Sequence, residues 1–285
     1  MSDVDAWTLL KLLRWTTSFF QDKGIDNPRL DAELLIAHVL KLDRVGVYLN
    51  YDRPLTPEEL SLIRPLVKRR GQREPLQYIL GNTEFWSLEF KVSPAVLIPR
   101  ADTEVLVEEA LKKADDVGEL LDIGTGSGAI ALSFAYEKVR WQVTGFDISA
   151  AALAVARGNA DNHTLESRCR FLLGDLAQLP ERSFDLVVSN PPYISSSEYE
   201  ALMPEVRNHE PSQALLAGAD GLDCYRLLAA QVDKILKPGG WLLCEIGCSQ
   251  EQPVFDLLQK AGLNEIYCRQ DYAGNPRVVG GRRRF

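Results

Sequence analysis

The residues whose types and spacing say most about chemistry are Asn190-Pro191-Pro192-Tyr193, delivered by the apolar run Asp185-Leu186-Val187-Val188-Ser189. Two consecutive prolines remove two backbone donors and leave carbonyls as acceptors. The Asn190 side-chain oxygen adds another acceptor. The result is a rigid acceptor cluster for a planar –NH2 group, with Tyr193 available to stack on it. Such a nitrogen is a poor nucleophile because its lone pair is delocalised. Accepting both of its N–H bonds helps to localise that lone pair and aim it. Asn190, Pro191 and Tyr193 are therefore the candidate catalytic residues, and Pro192 joins them in holding the substrate. Taken alone, the motif leaves two substrates open, an adenine amine or a glutamine amide.

A second cluster begins at Leu120-Leu121-Asp122-Ile123-Gly124-Thr125-Gly126-Ser127-Gly128. An apolar strand enters a glycine turn that opens a helix, so backbone can approach a ligand at the strand's carboxyl end. A dinucleotide fingerprint is G-x-G-x-x-G. The spacing here is G-x-G-x-G, which argues against a pyrophosphate. It fits a ligand with a methionine-like carboxylate and amino group, the ammonium meeting Asp122. Asp147, 23 positions after Gly124, is placed to accept from two ribose hydroxyls, with Ile148 beside it. Its competing role is to cap the next helix, which Ser149 could do instead. In Gly174-Asp175-Leu176, Asp175 would meet an exocyclic adenine amine and Leu176 the ring face. The roles of Asp122 and Asp175 rest on chemistry alone.

These residues need a scaffold that brings strand ends together. From about residue 102 the pattern alternates. Helices are expected at 102–114, 128–137, 150–161 and 221–236. Strands are expected at 119–123, 141–147, 169–173, 184–189, 240–246, 264–270 and 276–283. Alternation of this kind means a parallel sheet with helices on both faces, and the last strand adds a terminal antiparallel hairpin. Phe85, Trp86, Leu88, Phe90 and Val92 suggest a hairpin within 75–98. Leu9, Leu10, Leu12, Leu13, Phe19 and Phe20 recur at helical spacing. Pro28 can open a second helix, and Thr56-Pro57-Glu58-Glu59 a third that stops at Gly71. The organisation expected is a helical domain over 1–72, a linker with the hairpin over 73–100, and an α/β domain over 101–285.

The 285 residues carry 32 Lys+Arg and 40 Asp+Glu, a net charge of −8. A protein that grips a nucleic-acid backbone usually shows basic excess. Lys68, Arg69, Arg70 and Arg73 do cluster, as a solvated helix terminus or as a docking patch for an acidic or RNA-associated partner. No apolar run reaches a membrane span, and Met1–Asp5 lacks the basic start of a signal peptide. Five cysteines without paired spacing indicate a reducing cytoplasm; Cys244 and Cys248 read as core filler. His38, His163 and His209 form no triad or metal spacing, so no metal is expected. His209 stands near the substrate loop in sequence.

The Asp122–Gly128 loop, Asp147 and Asn190-Pro191-Pro192-Tyr193 resemble class I S-adenosylmethionine-dependent methyltransferases that modify planar nitrogens. Further segments resemble the bacterial release-factor glutamine methyltransferases: Glu74–Gly81, Glu84-Phe85-Trp86, Val96–Arg100, Asp102-Thr103-Glu104, Pro204-Glu205-Val206, Glu210-Pro211, Gly218–Leu222, Leu236–Gly240 and Glu245-Ile246-Gly247. The likeness runs from about residue 50 onward; Ala101 departs from it where that family often has proline. It implies a doubly wound, mostly parallel seven-stranded Rossmann-like sheet with a small N-terminal helical domain. It also implies methyl transfer to the glutamine amide of the Gly-Gly-Gln motif in peptide-chain release factors one and two. Carried over by position, Gly124, Thr125, Gly126, Ser127, Gly128, Asp147 and Leu176 would line the cofactor. Asn190, Pro191, Pro192 and Tyr193 would hold the glutamine, and Arg100 and Glu104 would order a loop over the cofactor. The helical domain with Phe85 and Trp86 would select the protein partner, and the enzyme would act as a monomer. The alternatives are a glutamine methyltransferase acting on a ribosomal protein, an adenine-N6 nucleic-acid methyltransferase, and an idle cofactor-binding module.

Overall fold

The computed structural model describes residues 7–179 and 182–285; the Met1–Asp5 stretch lies outside them. The chain divides into two compact units. One takes the residues through Gly81 together with Pro204–His209, and the other takes Asn82–Met203 and Glu210–Phe285.

The first unit is helical. Helix Leu9–Asp22 is capped by Thr8 and buries Leu9, Leu12, Leu13, Thr16 and Phe20 on one stripe. Pro28 opens helix Pro28–Leu40, and a capping box between Thr56 and Glu59 opens helix Pro57–Gly71. Short helices Arg44–Leu49 and Leu76–Leu80 were not anticipated, because six and five residues are too few to show a period. Helix Pro57–Gly71 ends, as expected, at Gly71. Gly71 is a packing glycine, since a Cβ there would meet the Phe19 ring at 2.5 Å. Three of the four residues of the basic cluster are ion-paired, while Lys68 stays exposed. Arg69 pairs with Glu74, buried Arg70 with Asp31 at 2.7 Å and Glu205 at 3.2 Å, and Arg73 with Glu205 at 2.6 Å. Glu205 belongs to helix Pro204–His209, which this ion cluster fastens into the unit.

The second unit opens with a hairpin, β1 (Asn82–Phe85) and β2 (Leu88–Lys91), turned by Trp86 and Ser87 at positive φ. Seven strands then form one sheet: β3 (Glu119–Ile123), β4 (Gln142–Asp147), β5 (Cys169–Leu173), β6 (Phe184–Ser189), β7 (Leu236–Glu245), β8 (Asn264–Gln270) and β9 (Pro276–Arg282). Their order is β5-β4-β3-β6-β7-β9-β8. The strands from β3 to β7 run parallel, and β9 is antiparallel to both β7 and β8. Alternate strand residues face opposite sides. Leu120, Val143 and Leu186 pack with helices Glu104–Lys113, Ala129–Glu137 and Ala150–Asn162. Leu121, Val187 and Leu242 pack with helices Asp223–Ala229, Val232–Ile235 and Glu251–Lys260.

The helix expected over 221–236 is two pieces. It breaks where Gln231 turns its side chain to Leu176 O and Leu179 N. Strand β7 starts four residues earlier than expected, and helix Glu251–Lys260 was missed. Among the described residues no helix is long and apolar enough to cross a membrane. Strand register sets where the loops emerge. Ile123 pairs with both Phe146 and Ser189, Asp147 with Leu173, and Ser189 with Cys244. The five parallel strands therefore end within a residue of one another, on the two sides of β3 where the winding reverses. Ligands of open α/β sheets bind at such a switch point.

Candidate active site

Beyond Ile123 the chain turns through Gly124, Gly126 and Gly128 at φ of 74°, 56° and 82°, a left-handed region that side-chain-bearing residues enter at a cost. Gly124 and Gly126 line a cavity of about 320 Å³, within the usual range for small-molecule sites. A Cβ at Gly124 would meet only Asn190 O, at 3.8 Å, and one at Gly126 only Gly124 O, at 3.9 Å. The space those hydrogens face is open.

The alternate residues of the turn point away from it, which revises the expected continuous lining. Thr125 and Ser127 are buried. Thr125 Oγ1 donates to Asp122 at 2.7 Å, and Ser127 O accepts from Asn159 at 2.9 Å. Gly128 is a contact glycine, where a Cβ would press on Leu132 and Ala156. Asp122 is also revised. It is fully buried below the turn, accepting from Thr125 Oγ1 and from the Ala131 amide at 3.2 Å, while its Oδ1 has no partner. It supports the loop instead of facing the cavity. Burial pushes its carboxyl up to about 7.

Asp147, Ile148, Asp175 and Leu176 all line the cavity. Asp147 does not cap the next helix; Ser149 does, accepting from Ala152 N at 3.1 Å. Asp147 Oδ2 instead accepts from Gly126 N, and Oδ1 from Ser149 N, each at 2.9 Å. Each oxygen keeps a further lone pair. Asp175 caps the turn Leu176–Gln178 through Ala177 N at 2.8 Å.

Asn190, Pro191 and Pro192 form the facing wall, carried there by β6. Ser189 Oγ donates to Ile123 O at 2.8 Å, fastening β6 to β3 where both motifs begin. The Asn190 amide donates to Thr103 Oγ1 at 3.2 Å. Tyr193 is set apart from these three. Its ring packs against the core on the Val187 side of the sheet, and its carbonyl accepts from Gln250 at 2.9 Å. Burial first, then Glu245 nearby, pushes its hydroxyl up to about 12.

Ala95, Val96 and Leu97 supply another wall. Their segment is held by Glu210, which accepts from Ile98 N at 3.2 Å and pairs with Arg100. Arg100 therefore orders this loop as expected. Glu104 instead accepts from Trp86 N at 2.7 Å and holds the hairpin turn. Phe85 is core, which removes it as a docking residue. Sequence reasoning missed Pro211, Gln213, Ala214, Leu216, Cys224 and Leu227 on the cavity wall. It also missed Thr103, Glu245 and Arg277 behind Asn190. Thr103 and Glu245 stand in quoted segments but carried no role. Cys244 is core, whereas Cys248 is exposed and fills nothing. His163 bonds Glu89 O at 2.8 Å. Among the described residues no group of three or more His, Cys, Asp or Glu could hold a metal ion.

The comparisons with known proteins converge. The family described as the PrmC N-terminal domain matches residues 11–81, and that described as a methyltransferase domain matches residues 114–273. The release factor glutamine methyltransferase of Geobacter sulfurreducens is 49% identical over 98% of each chain. The chain belongs to the release factor glutamine methyltransferase family. It is an enzyme, a methyltransferase. The release factor glutamine methyltransferase of Rhodopirellula baltica is 41% identical over 98% of this chain and 97% of its own. A methyltransferase from Pyrococcus furiosus superposes with a TM-score of 0.52 at 19% identity, over 70% of this chain and 90% of that one. That likeness shows the fold, the Rossmann-like methyltransferase sheet expected from the sequence. In this release factor glutamine methyltransferase family member, the glycine turn and the Asn190–Pro192 wall face one cavity.

Proposed function

We propose that this chain transfers a methyl group from S-adenosylmethionine to the side-chain amide nitrogen, N5, of the glutamine in the Gly-Gly-Gln motif of peptide-chain release factors one and two. The observation that carries the reading is the shared cavity. A glycine cradle with an acid at the next strand end, and an amide-acceptor wall, line the same 320 Å³ space.

The residues fit the cofactor. Open space beside Gly124 and Gly126 leaves room for its amino-acid portion. Asp147 keeps one lone pair on each oxygen for a ribose hydroxyl. Asp175, Leu176 and Ile148 line the same cavity, where Asp175 would meet an adenine edge and Leu176 its face. When bound, S-adenosylmethionine supplies the methyl as the electrophile on its sulfonium.

The rest is the chain's own work. Asn190 Oδ1 and the backbone carbonyls fixed by Pro191 and Pro192 accept the two amide N–H bonds of glutamine. Holding them in the amide plane turns the nitrogen lone pair toward the sulfonium; the methyl leaves a neutral thioether behind, and the methylated nitrogen releases one N–H proton to water along the hydrogen bond that held it. Positioning two reactants in this way supplies on the order of 7–11 kcal/mol, and preorganised acceptors add a few kcal/mol more. Tyr193 contributes through its backbone, with its ring anchoring the segment in the core.

A glutamine on a loop offers little binding energy. The helical region, residues 1–72, supplies the surface that selects the factor. The net charge of −8 disfavours a nucleic-acid substrate. An enzyme acting on release factors works in the cytoplasm, and one chain carries the whole site, so a monomer suffices.

The test is to incubate purified protein with S-adenosylmethionine and unmodified release factor and map the products by mass spectrometry. One added methyl on the Gly-Gly-Gln glutamine is the expected result. Label on a ribosomal protein or on DNA in its place would overturn the substrate.

A further inference from the structure

An asparagine amide is nearly symmetric in shape and opposite in chemistry at its two ends. If Asn190 presented its NH2 to the cavity, a donor would face the donor NH2 of the substrate. Something must fix which end points inward.

The sheet places a candidate beside it. Ser189 on β6 pairs with Cys244 on β7, so the next residues, Asn190 and Glu245, leave parallel strands together. Thr103, from the turn Ala101–Thr103, lies against both. Glu245 is 1% exposed, and its Oε2 has no hydrogen-bond partner. Arg277 of β9 provides the countercharge. In its charged form, which Arg277 favours, the Glu245 carboxylate can only accept. Thr103 has one hydroxyl proton, and giving it to Glu245 leaves Oγ1 free to accept. Oγ1 does accept, from Asn190 Nδ2 at 3.2 Å.

We propose that Glu245, acting through the Thr103 hydroxyl, sets the orientation of the Asn190 amide, so that Oδ1 faces the cavity as the acceptor. Glu245 and Thr103 are positioning residues: neither lines the cavity. The hydrogen-bond polarity is dictated from the buried end of the relay outward. An unpaired carboxylate oxygen in a dry interior is costly, and here it has a use as a fixed acceptor. The inference rests on the amide-methylation reading above, but its structural half can be read without a substrate.

The experiment compares Thr103→Val, Thr103→Ser and Glu245→Met with wild type. Valine keeps the shape of threonine and removes the relay, whereas serine keeps the hydroxyl. Turnover on release factor should fall on the order of tenfold or more in Thr103→Val and Glu245→Met, the loss of one buried hydrogen bond. KM for the factor and affinity for S-adenosylmethionine should stay near wild type, and Thr103→Ser should retain most turnover. In parallel, ¹H–¹⁵N spectra follow the Asn190 side-chain NH2. Its protons should exchange slowly in wild type and Thr103→Ser, and fast in Thr103→Val and Glu245→Met. Wild-type turnover and slow NH2 exchange in Thr103→Val would overturn the proposal. Equal losses in the valine and serine variants would do the same, because packing would then be the cause. If wild type is inert on the factor, the substrate reading fails, and the exchange data still decide the orientation.

Discussion

Asp147 Oδ2 accepts the Gly126 amide at 2.9 Å, so the acid at the end of β4 and the glycine turn after β3 form one hydrogen-bonded piece. The proposed ribose acceptor is thereby held by the loop that cradles the rest of the ligand. Removing the Asp147 carboxylate should cost twice, through lost ribose bonds and a loosened turn. Hydrogen bonds to charged groups are worth roughly 1.5–3 kcal/mol. Asp147→Ala should therefore bind S-adenosylmethionine on the order of ten- to a hundredfold more weakly, read by calorimetry. Unchanged affinity would remove Asp147 from the cofactor site.

Two glycines with similar backbones should behave oppositely. Gly126→Ala puts a methyl into open cavity and meets no protein atom closer than 3.9 Å. Its backbone cost is about 1–2 kcal/mol, so the variant should fold and lose cofactor affinity. Gly221, at φ 75°, faces the Tyr193 carbonyl, and a Cβ there would overlap that oxygen and come within 2.7 Å of Gln250 Nε2. Gly221→Ala should displace the segment that follows Pro192. Its melting temperature should drop and its turnover fall with cofactor binding largely kept. Thermal unfolding together with cofactor titration separates the two patterns.

The strand ends were legible because each buried strand is a short apolar run closed by a turn residue. The strands at 119–123, 169–173, 184–189 and 264–270 stand as expected. Placing Gly124, Asp147, Asp175 and Asn190 at one sheet edge follows from those ends. What the motif could not show is which way each loop residue points. In a turn with three left-handed glycines, Thr125 and Ser127 face inward although they flank cavity-lining Gly126. Asp122 looked like a ligand because it is an acid beside a glycine loop, and only burial shows it as a support. The Thr103 relay joins residues 87 positions apart, and no local pattern encodes such a contact. Phe85 and Trp86 looked alike as surface aromatics, but a four-residue strand sends Phe85 into the core.

The ion cluster of the helical unit gives a stability test. Arg70 is buried between Asp31 and Glu205. Removing one partner of a buried cluster leaves uncompensated charge and costs on the order of 3–5 kcal/mol. Arg70→Met should show that loss in urea unfolding monitored on the helical signal. Burial raises the Asp31 carboxyl, while Arg70 opposes that shift. Adding Asp31→Leu to Arg70→Met should therefore recover part of the loss. A single-variant loss below about 1 kcal/mol would show the cluster to be solvated like a surface pair.

Asp122 ties the glycine turn to pH. Its carboxyl sits at about 7 in the folded enzyme because burial disfavours the charge, against 3.8 when exposed. The unfolded chain therefore gives up this proton first as pH rises. The contribution to stability is fully present below about pH 4 and is lost as pH climbs through 7. The whole effect is at most about 4 kcal/mol. Asp122→Asn cannot titrate, and its side-chain oxygen can still accept from Thr125 and the Ala131 amide. Its melting temperature relative to wild type should rise from pH 5 to about pH 7 and level off by pH 8. The other buried carboxyl near 7, Glu245, is present in both proteins and cancels in the difference. Parallel melting curves across that range would mean that Asp122 stays charged inside the fold, with its unpaired Oδ1 solvated.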